Sequence, residues 1–452
     1  MNVATIILAA GHGTRMKSST PKVLHAIAGR SMLAHVFHNA NDLAPQRRAV
    51  VIGDHAPEVG DAARAIDSEV FVGVQSPPRG TGDAVAKAIP GLDGFDGIVL
   101  VLYADTPFVS CETLKRLIDQ IEAGNDVAVL GFRPDDPGAY GRLKCAHDGS
   151  LEAIIEAGDA NEEELKITLV NSGVMALSSS FLRSGLPRLT NENAKREFYL
   201  TDLVGLARGD GLQCAVVEAQ TSEVMGVNSR GELAIAEATY QKKCRENAMA
   251  QGVTLIDPQT VYFSYDTEIA PDVVIEPSVY FGPGVKIGSG SRIKAFSHIE
   301  GAHIGDAVQI GPFARLRPAT EISDGAKIGN FVEVKKATLG KDAKVSHLSY
   351  IGDAKIGADA NIGAGTITCN YDGYTKHVTE IGIGAFVGSN SSLVAPVTIG
   401  DGAYVGSGSV ITKSVESDAL AVARGRQKDI AGWATRMRES VDKVKPNKGE
   451  GR

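Results

Sequence analysis

The chain has 452 residues, 43% of them hydrophobic and 6% aromatic, with a net charge of −8. That length exceeds one ordinary core, so two or three domains are expected. The acidic balance argues against a nucleic-acid partner. No apolar run of about eighteen residues occurs, and the start, MNVATIILAAGHG, lacks a signal peptide's basic region and cleavage site, so neither a membrane span nor secretion is expected. Five cysteines (Cys111, Cys145, Cys214, Cys244, Cys369) lie far apart without CxxC, which suits a reducing cytoplasm and gives no zinc signal.

Residues 1–228 alternate apolar runs with helical patterns. The runs include 3–8 (VATIIL), 48–53 (RAVVIG), 97–105 (GIVLVLYAD) and 126–132 (DVAVLGF), and 112–124 (ETLKRLIDQIEAG) is one of the helical stretches. This order predicts a Rossmann-like α/β domain with a mostly parallel sheet and helices on both faces. His35 and His38 could share a helix face, but no HExxH surrounds them, so both are expected in solvent. Residues 229–250 are rich in Ala, Glu and Lys, contain no Pro, and predict one long linker helix.

Residues 251–452 read differently. An aliphatic or Phe recurs every six positions from Ile269 to Ile411, with eighteen spacings of six and three of five, and Gly often follows it. Six fits neither the period of an α-helix nor that of a plain strand. It fits a parallel β-helix, with one hexapeptide per face and three faces per coil. Gly and small residues are expected at the corners, where the backbone turns tightly. Residues 413–452 lack the repeat, and the charged end at 443–452 reads as disordered.

Directly after the first expected strand comes LAAGHGTRM (Leu8–Met16), followed by Pro21 and Lys22. A Gly-rich turn there lets backbone N–H groups approach a phosphate. It is not a dinucleotide fingerprint, because Met16 stands where a third Gly belongs, and no Walker GK[ST] follows. Arg15 and Lys22 supply two cations able to neutralise a triphosphate. A lone strand-end Asp such as Asp105 is more often a helix cap, but beside those cations the metal reading prevails. The motif resembles the nucleotidyltransferases that make nucleotide sugars, whose signature is LAAGxGTRM followed by Pro-Lys. The resemblance implies that Leu8, Gly11, Arg15 and Lys22 bind the nucleotide. It implies that Gln75, Gly80 and Thr81 read uracil, although Gly82 and Asp83 stand where Ala-His is common. Tyr103–Pro107 (YADTP) matches the metal motif, with Asp105 and Asn228 as Mg²⁺ ligands. Gly141, Glu156 and Asn171, with EFYLTD (197–202), match the sugar-phosphate side. In such chemistry a sugar 1-phosphate attacks the α-phosphate of a nucleoside triphosphate, so cations must screen two anions. Positioning suffices without a covalent nucleophile.

A β-helix is a scaffold, and function is expected where the repeat is broken or decorated. Ile362 and Ile381 are separated by 19 positions, and the interruption, TCNYDGYTKHVTE (368–380), predicts an exposed loop carrying Asn370, Tyr371 and Lys376. His347 follows the inward Val345 by two residues, so it should face outward on a surface shared with Arg317 and Lys335. Stacked cations suit a phosphate, and an imidazole suits a general base. With PFARLRP (312–318), NFVEVKKATLG (330–340), SHLSYIGDA (346–354) and NIGAGTITCNYDG (361–373), nearly the whole chain resembles the bacterial bifunctional N-acetylglucosamine-1-phosphate uridylyltransferase/glucosamine-1-phosphate acetyltransferase family. The resemblance implies a left-handed β-helix and three segments: 1–228 for uridylyl transfer, 229–250 as linker, 251–452 for acetyl transfer. It makes His347 the base, and Arg317, Lys335, Tyr350, Asn361 and Lys376 the glucosamine 1-phosphate site. Asn370 and Tyr371 lie beside the acetyl group, and Ala364, Ser389, Ser407 and Arg424 bind acetyl-CoA, with Ser407 in place of the family's Ala. It also implies UTP as nucleotide, a cytoplasmic homotrimer with shared acetyltransfer sites, and neither nucleic acid nor membrane as partner. Two alternatives stay open: a monofunctional nucleotide-sugar pyrophosphorylase with a regulatory β-helix, and a non-catalytic assembly subunit.

Overall fold

The computed structural model describes residues 2–444. Its main sheet contains β1 (Val3–Ala9), β2 (Arg47–Gly53), β3 (Phe71–Gln75), β4 (Ile98–Tyr103), β5 (Val127–Phe132), β6 (Val170–Ser178) and β7 (Cys214–Glu218). The order is β7-β5-β6-β4-β1-β2-β3, and only β6 runs antiparallel to its neighbours along this path. The central strands are apolar on both sides because helices cover both faces. In β1, Val3, Ile7 and Ala9 enter one core, while Ala4, Ile6 and Leu8 enter the other. In β4, Ile98, Leu100 and Leu102 oppose Val99 and Val101 in the same way. Leu8 pairs with Tyr103, so the loops after β1 and β4 leave the carboxyl edge side by side. That edge is where open α/β sheets place ligands.

His35 is a correction. It lies in the helix Met32–Asn41, is 3% exposed, and bonds to the Ile27 carbonyl through Nε2. Burial pushes its pKa down, and the carbonyl bond opposes that shift. The helix turns this position toward the core, so the imidazole is a packed group; His38 is exposed as expected.

The helix Arg230–Ala250 packs within the first compact unit, which comprises Met1–Ala250 and Val261–Thr267. Ala236 joins Ile27, Ala28, Met32 and Val227 in one buried cluster. Glu237 accepts the Ala28 N–H at 2.7 Å, and Gln241 bonds both backbone groups of Phe263, at 2.7 and 2.8 Å.

The second unit is a three-sided parallel β-helix. One column of strands runs through Val274–Ile275, Arg292–Ile293, Gln309–Ile310, Lys327–Asn330, Lys344–His347, Asn361–Ile362, Phe386–Val387 and Tyr404–Val405. This is face one. Face two passes through Arg315–Leu316, then Glu333, Tyr350, Ile367 and Ser392. Face three passes through Thr320–Ile322, Leu339, Ile356 and Thr379–Ile381. The inward aliphatics stack: Ile293, Ile310, Ile328, Val345, Ile362 and Val387 are almost fully buried. The coil continues past Ile411, because Leu420–Ala421 pairs with Tyr404–Val405; the hexad hides this coil since sixteen residues separate the partners. A helix, Trp433–Val444, follows it. Most of the charged tail expected at 443–452 lies outside the described residues.

The corner between faces one and two departs from the expected small residues. Phe296, Phe313, Phe331 and Leu348 occupy it with φ between 52° and 60°. Left-handed backbone costs a residue with Cβ roughly 1–2 kcal/mol. Stacking offsets part of that cost, since the Phe296–Phe313 and Phe313–Phe331 centroids are 4.9 and 5.1 Å apart and nearly parallel. All four side chains remain exposed.

Candidate active sites

In the first unit a cleft of about 240 Å³ opens at the carboxyl edge of the sheet, lined in part by Leu8, Gly11, His12, Lys22, Gln75, Gly80, Thr81, Tyr103, Asp105 and Glu197. The turn after β1 is set by Gly13 at φ 59°, where an added Cβ would come within 2.6 Å of the Lys22 Cβ. Glycine there lets the turn and the Lys22 segment touch. The Lys22 ammonium is paired with the Asp105 carboxylate and donates to Asn228 Oδ1 at 3.0 Å. The Val227 N–H bonds the Asp105 carbonyl at 2.9 Å, which sets Asn228 beside Asp105 although 123 positions separate them in sequence. Two acceptor oxygens thus converge on one cationic group.

Tyr103 joins the two ends of the cleft. Burial, then the charges of Asp105 and Glu156, push its phenol above the ordinary value; a hydrogen bond with Thr81 opposes them. Glu156 accepts from Thr201 at 3.2 Å, and the Asn171 N–H bonds the Gly141 carbonyl at 2.8 Å. Gly173 lies against the Tyr103 ring, so Gly141, Glu156 and Asn171 surround this end. Arg15 differs: its side chain is exposed on the turn Thr14–Met16 and does not line the cleft. Arg142, from the YGR match, is buried and bonds the carbonyls of Pro137, Gly138 and Tyr140, so it braces the loop.

In the β-helix the expected residues occupy different sides of the prism. His347 sits at the corner between faces one and two. Below it, Asn330 pairs in register, and the Nδ1···Asn330 Oδ1 distance is 2.5 Å. With Nδ1–H donating to that oxygen, Nε2 carries the free lone pair. Above it, the Gly365 N–H bonds the His347 carbonyl, the Asn390 N–H bonds that of Ala364, and the Gly408 N–H bonds that of Ser389. Ala364, Ser389 and Ser407 therefore climb one corner from His347, about 4.8 Å per coil. Arg424 donates to the Ser407 carbonyl at 2.9 Å at the top of this ladder. A Cβ on Gly363 or Gly388 would come within 2.6 Å of the backbone nitrogen of the next coil, which keeps the ladder tight.

Arg317 and Lys335 occupy the next corner, between faces two and three. Lys376, on the loop after Cys369, reaches the same place. Its hydrogen bond and charge, then desolvation and Arg317, lower the Lys335 pKa, while Asp353 opposes them. Arg317 also pairs with Glu333 at 2.9 Å. Tyr350 stands on face two between the corners, and Asn361 stands on face one. A single chain therefore splits the residues expected at one acceptor site over different sides of the prism. Asn370 is a correction: it is 8% exposed, and its amide donates to the buried Asp353 carboxylate. That carboxylate needs a donor, and it draws the start of the loop inward. Tyr371 is 60% exposed, and its hydroxyl donates to the Gly373 carbonyl at 2.6 Å.

Sequence reading missed three groups that touch these sites. Asn330 holds His347, and its signal was its place one coil below that residue. Asp83 holds Gln75, and its signal was the departure from Ala-His. Asp353 holds Asn370, and no pattern in the sequence marks it.

Family models agree with both units. A MobA-like NTP transferase domain matches residues 5–198, and the bacterial transferase hexapeptide (six repeats) matches 266–301, 301–336 and 379–413. The intervening stretch, 337–378, carries His347, Tyr350, Asn361 and the loop. A "Bifunctional protein GlmU" from Paramagnetospirillum magneticum is 53% identical over 96% of each chain. Its namesake from Azorhizobium caulinodans is 53% identical over 98% of this chain and 99% of its own, and one from Ruegeria sp. is 49% identical over the full length of both. The chain belongs to the bifunctional GlmU family. It is a transferase with a nucleotidyltransferase domain and a left-handed β-helix of the acetyltransferase kind.

Proposed function

We propose that this GlmU-family chain acetylates glucosamine 1-phosphate with acetyl-CoA and couples the product to UTP, giving UDP-N-acetylglucosamine and pyrophosphate. The observation that carries the reading is identity near 50% across both units with named GlmU proteins. In the acetyl half, the glucosamine amine attacks the thioester carbonyl. A C–N bond forms, the C–S bond breaks, and His347 Nε2 takes the ammonium proton for delivery to the departing thiolate. Arg317, Lys335 and Lys376 hold the phosphate, with Tyr350 and Asn361 on the sugar. Ala364, Ser389, Ser407 and Arg424 form the acetyl-CoA ladder, and Asn370 and Tyr371 border the acetyl group.

In the uridylyl half, a phosphate oxygen of N-acetylglucosamine 1-phosphate attacks the α-phosphorus of UTP, and pyrophosphate leaves. Leu8, Gly11 and Lys22 bind the triphosphate, with Arg15 offering a further cation from the exposed turn that follows; Gln75, Gly80 and Thr81 hold uracil, and Tyr103, Gly141, Glu156 and Asn171 hold the sugar phosphate. Asp105 and Asn228 would hold Mg²⁺. Their oxygens already converge on the Lys22 ammonium, and hard oxygen donors with one carboxylate suit this ion beside phosphates. When bound, Mg²⁺ supplies positive charge against the phosphates.

The chain acts as a homotrimer. Asn361 and Arg317 lie on different sides of one prism, so a complete acceptor site draws on a second copy. The exposed Phe296–Phe313–Phe331–Leu348 corner adjoins His347 and offers that copy an apolar strip. All five cysteines are free, which supports a cytoplasmic setting. The test is a coupled assay. Glucosamine 1-phosphate, acetyl-CoA, UTP and Mg²⁺ should give UDP-N-acetylglucosamine, and omission of acetyl-CoA should abolish it. Product formed from glucosamine 1-phosphate without acetylation would refute the order.

A further inference from the structure

Gln75 ends β3 inside the nucleotide cleft and is 4% exposed. Its Nε2 donates to the Gly80 carbonyl and to Asp83 Oδ2, both at 2.9 Å. A carboxamide nitrogen has two hydrogens, so both are used. Among the described residues no donor reaches its oxygen, which is the atom left to meet a ligand in the cleft. Asp83 is itself 8% exposed, and its other oxygen accepts from Arg79 Nη2 at 2.9 Å. Arg79 lies over the Phe198 ring, 5.9 Å from the centroid. The backbone around it is tied down, since Phe198 N–H bonds the Arg79 carbonyl and Gly82 N–H bonds the Phe198 carbonyl, both at 2.8 Å.

Reversing the Gln75 amide would set its oxygen against the Gly80 carbonyl and the Asp83 carboxylate with no proton between them. Unpaired buried acceptors are costly, so the orientation is locked. Facing N3 of the base, an amide that can only accept matches uracil, which carries a hydrogen there. Cytosine presents a lone pair at N3 and has its donor at the exocyclic N4 instead.

We propose that Asp83, held by Arg79, is a positioning residue that fixes the acceptor face of Gln75 and so sets the preference for uracil over cytosine nucleotides. The proposal rests on the reading of Gln75 as the base-reading residue. This chain carries Asp83 where His is common, so the lock belongs to its own sequence.

The experiment measures kcat and KM for UTP and for CTP with N-acetylglucosamine 1-phosphate, on the full chain, for wild type, Asp83→Ala, Asp83→Asn and Gln75→Leu. One hydrogen bond lost from the lock should lower the UTP/CTP ratio of kcat/KM about tenfold in Asp83→Ala. The change should come through KM for UTP, with kcat held within about twofold. Asp83→Asn keeps the volume but brings a competing N–H₂ group, and the ratio should move the same way; it serves if the Ala variant fails to fold. An unchanged ratio in both Asp83 variants, with a collapsed ratio in Gln75→Leu, overturns the role of Asp83 and leaves Gln75 as the reader. An unchanged ratio in Gln75→Leu overturns the reading beneath it as well. Equal losses for UTP and CTP in the Asp83 variants make Asp83 structural and overturn the proposal.

Discussion

Replacing Asn330 by Ala tests whether the base is oriented from the coil below. The His347–Asn330 bond spans 2.5 Å on an exposed corner. Such a bond contributes about 0.5–1.5 kcal/mol. At about 1.4 kcal/mol per factor of ten, its loss should lower kcat for acetyl transfer roughly threefold to tenfold. Loss of the base itself is larger, so His347→Ala should cost about 10²–10⁴-fold. The assay follows free CoA thiol released from acetyl-CoA with glucosamine 1-phosphate. If Asn330 acts only through His347, it should have no effect once the imidazole is gone. The double variant should then match His347→Ala within about twofold, which is the non-additivity expected of a contacting pair. A threefold to tenfold loss that persists in the His347→Ala background would refute the reasoning, because Asn330 would then touch substrate independently.

Other outcomes follow from the same geometry. Asp105→Ala should abolish UDP-sugar formation and leave acetyl transfer near wild type, measured by pyrophosphate release and thiol release on one preparation. In the proposed site Lys335 would bind phosphate as the cation, and Lys376 lowers its pKa, so charge is lost as pH rises, at a lower pH than for an ordinary lysine. KM for glucosamine 1-phosphate should therefore rise on the alkaline side, and Lys335→Arg, which stays charged, should flatten that rise; an identical pH profile would exclude Lys335. On the proposed homotrimer, Phe313→Asp with Phe331→Asp should reduce the sedimenting mass to that of a monomer and remove acetyl transfer while sparing uridylyl transfer.

The architecture was legible in the sequence where a period or a motif is local. The hexad marks each inward aliphatic because every coil repeats one steric demand, and LAAGHGTRM marks the nucleotide turn because glycine and cation must lie within a few residues. What stayed hidden depends on register. Asn330 meets His347 because of a five-residue slip between Val334 and Leu339, and the offset becomes 17. Asp83 meets Gln75 only once the segment folds back on Phe198. The corner phenylalanines defy the small-residue rule because stacking between coils offsets part of the backbone cost, and stacking is invisible to a single repeat. His35 reads as a polar position on a helix, yet its carbonyl partner lies eight residues earlier.

The boundary of the first unit was hidden for the same reason, and it yields a decisive truncation. Composition places the end of that unit at residue 228, before the helix. Packing returns Arg230–Ala250 and Val261–Thr267 to it. Removing everything after residue 229 would strip Ala236 from Ile27, Met32 and Val227, each fully buried in the intact chain. It would also leave Ala28 N–H without Glu237, and its carbonyl without the Tyr265 and Ser264 donors. Partial exposure of two or three such side chains costs roughly 3–5 kcal/mol. The Ala28 segment follows Lys22 by only six residues, and Asn228 would stand at a frayed end, so the loss falls on the uridylyl site. A fragment ending at residue 229 should therefore melt well below one ending at residue 267, by roughly 6–20 °C for a unit of this size. It should also turn over UTP more slowly, while the longer fragment keeps the full chain's uridylyl rate without assembling. Equal melting temperatures and equal rates for the two fragments would show that the helix is a mere linker.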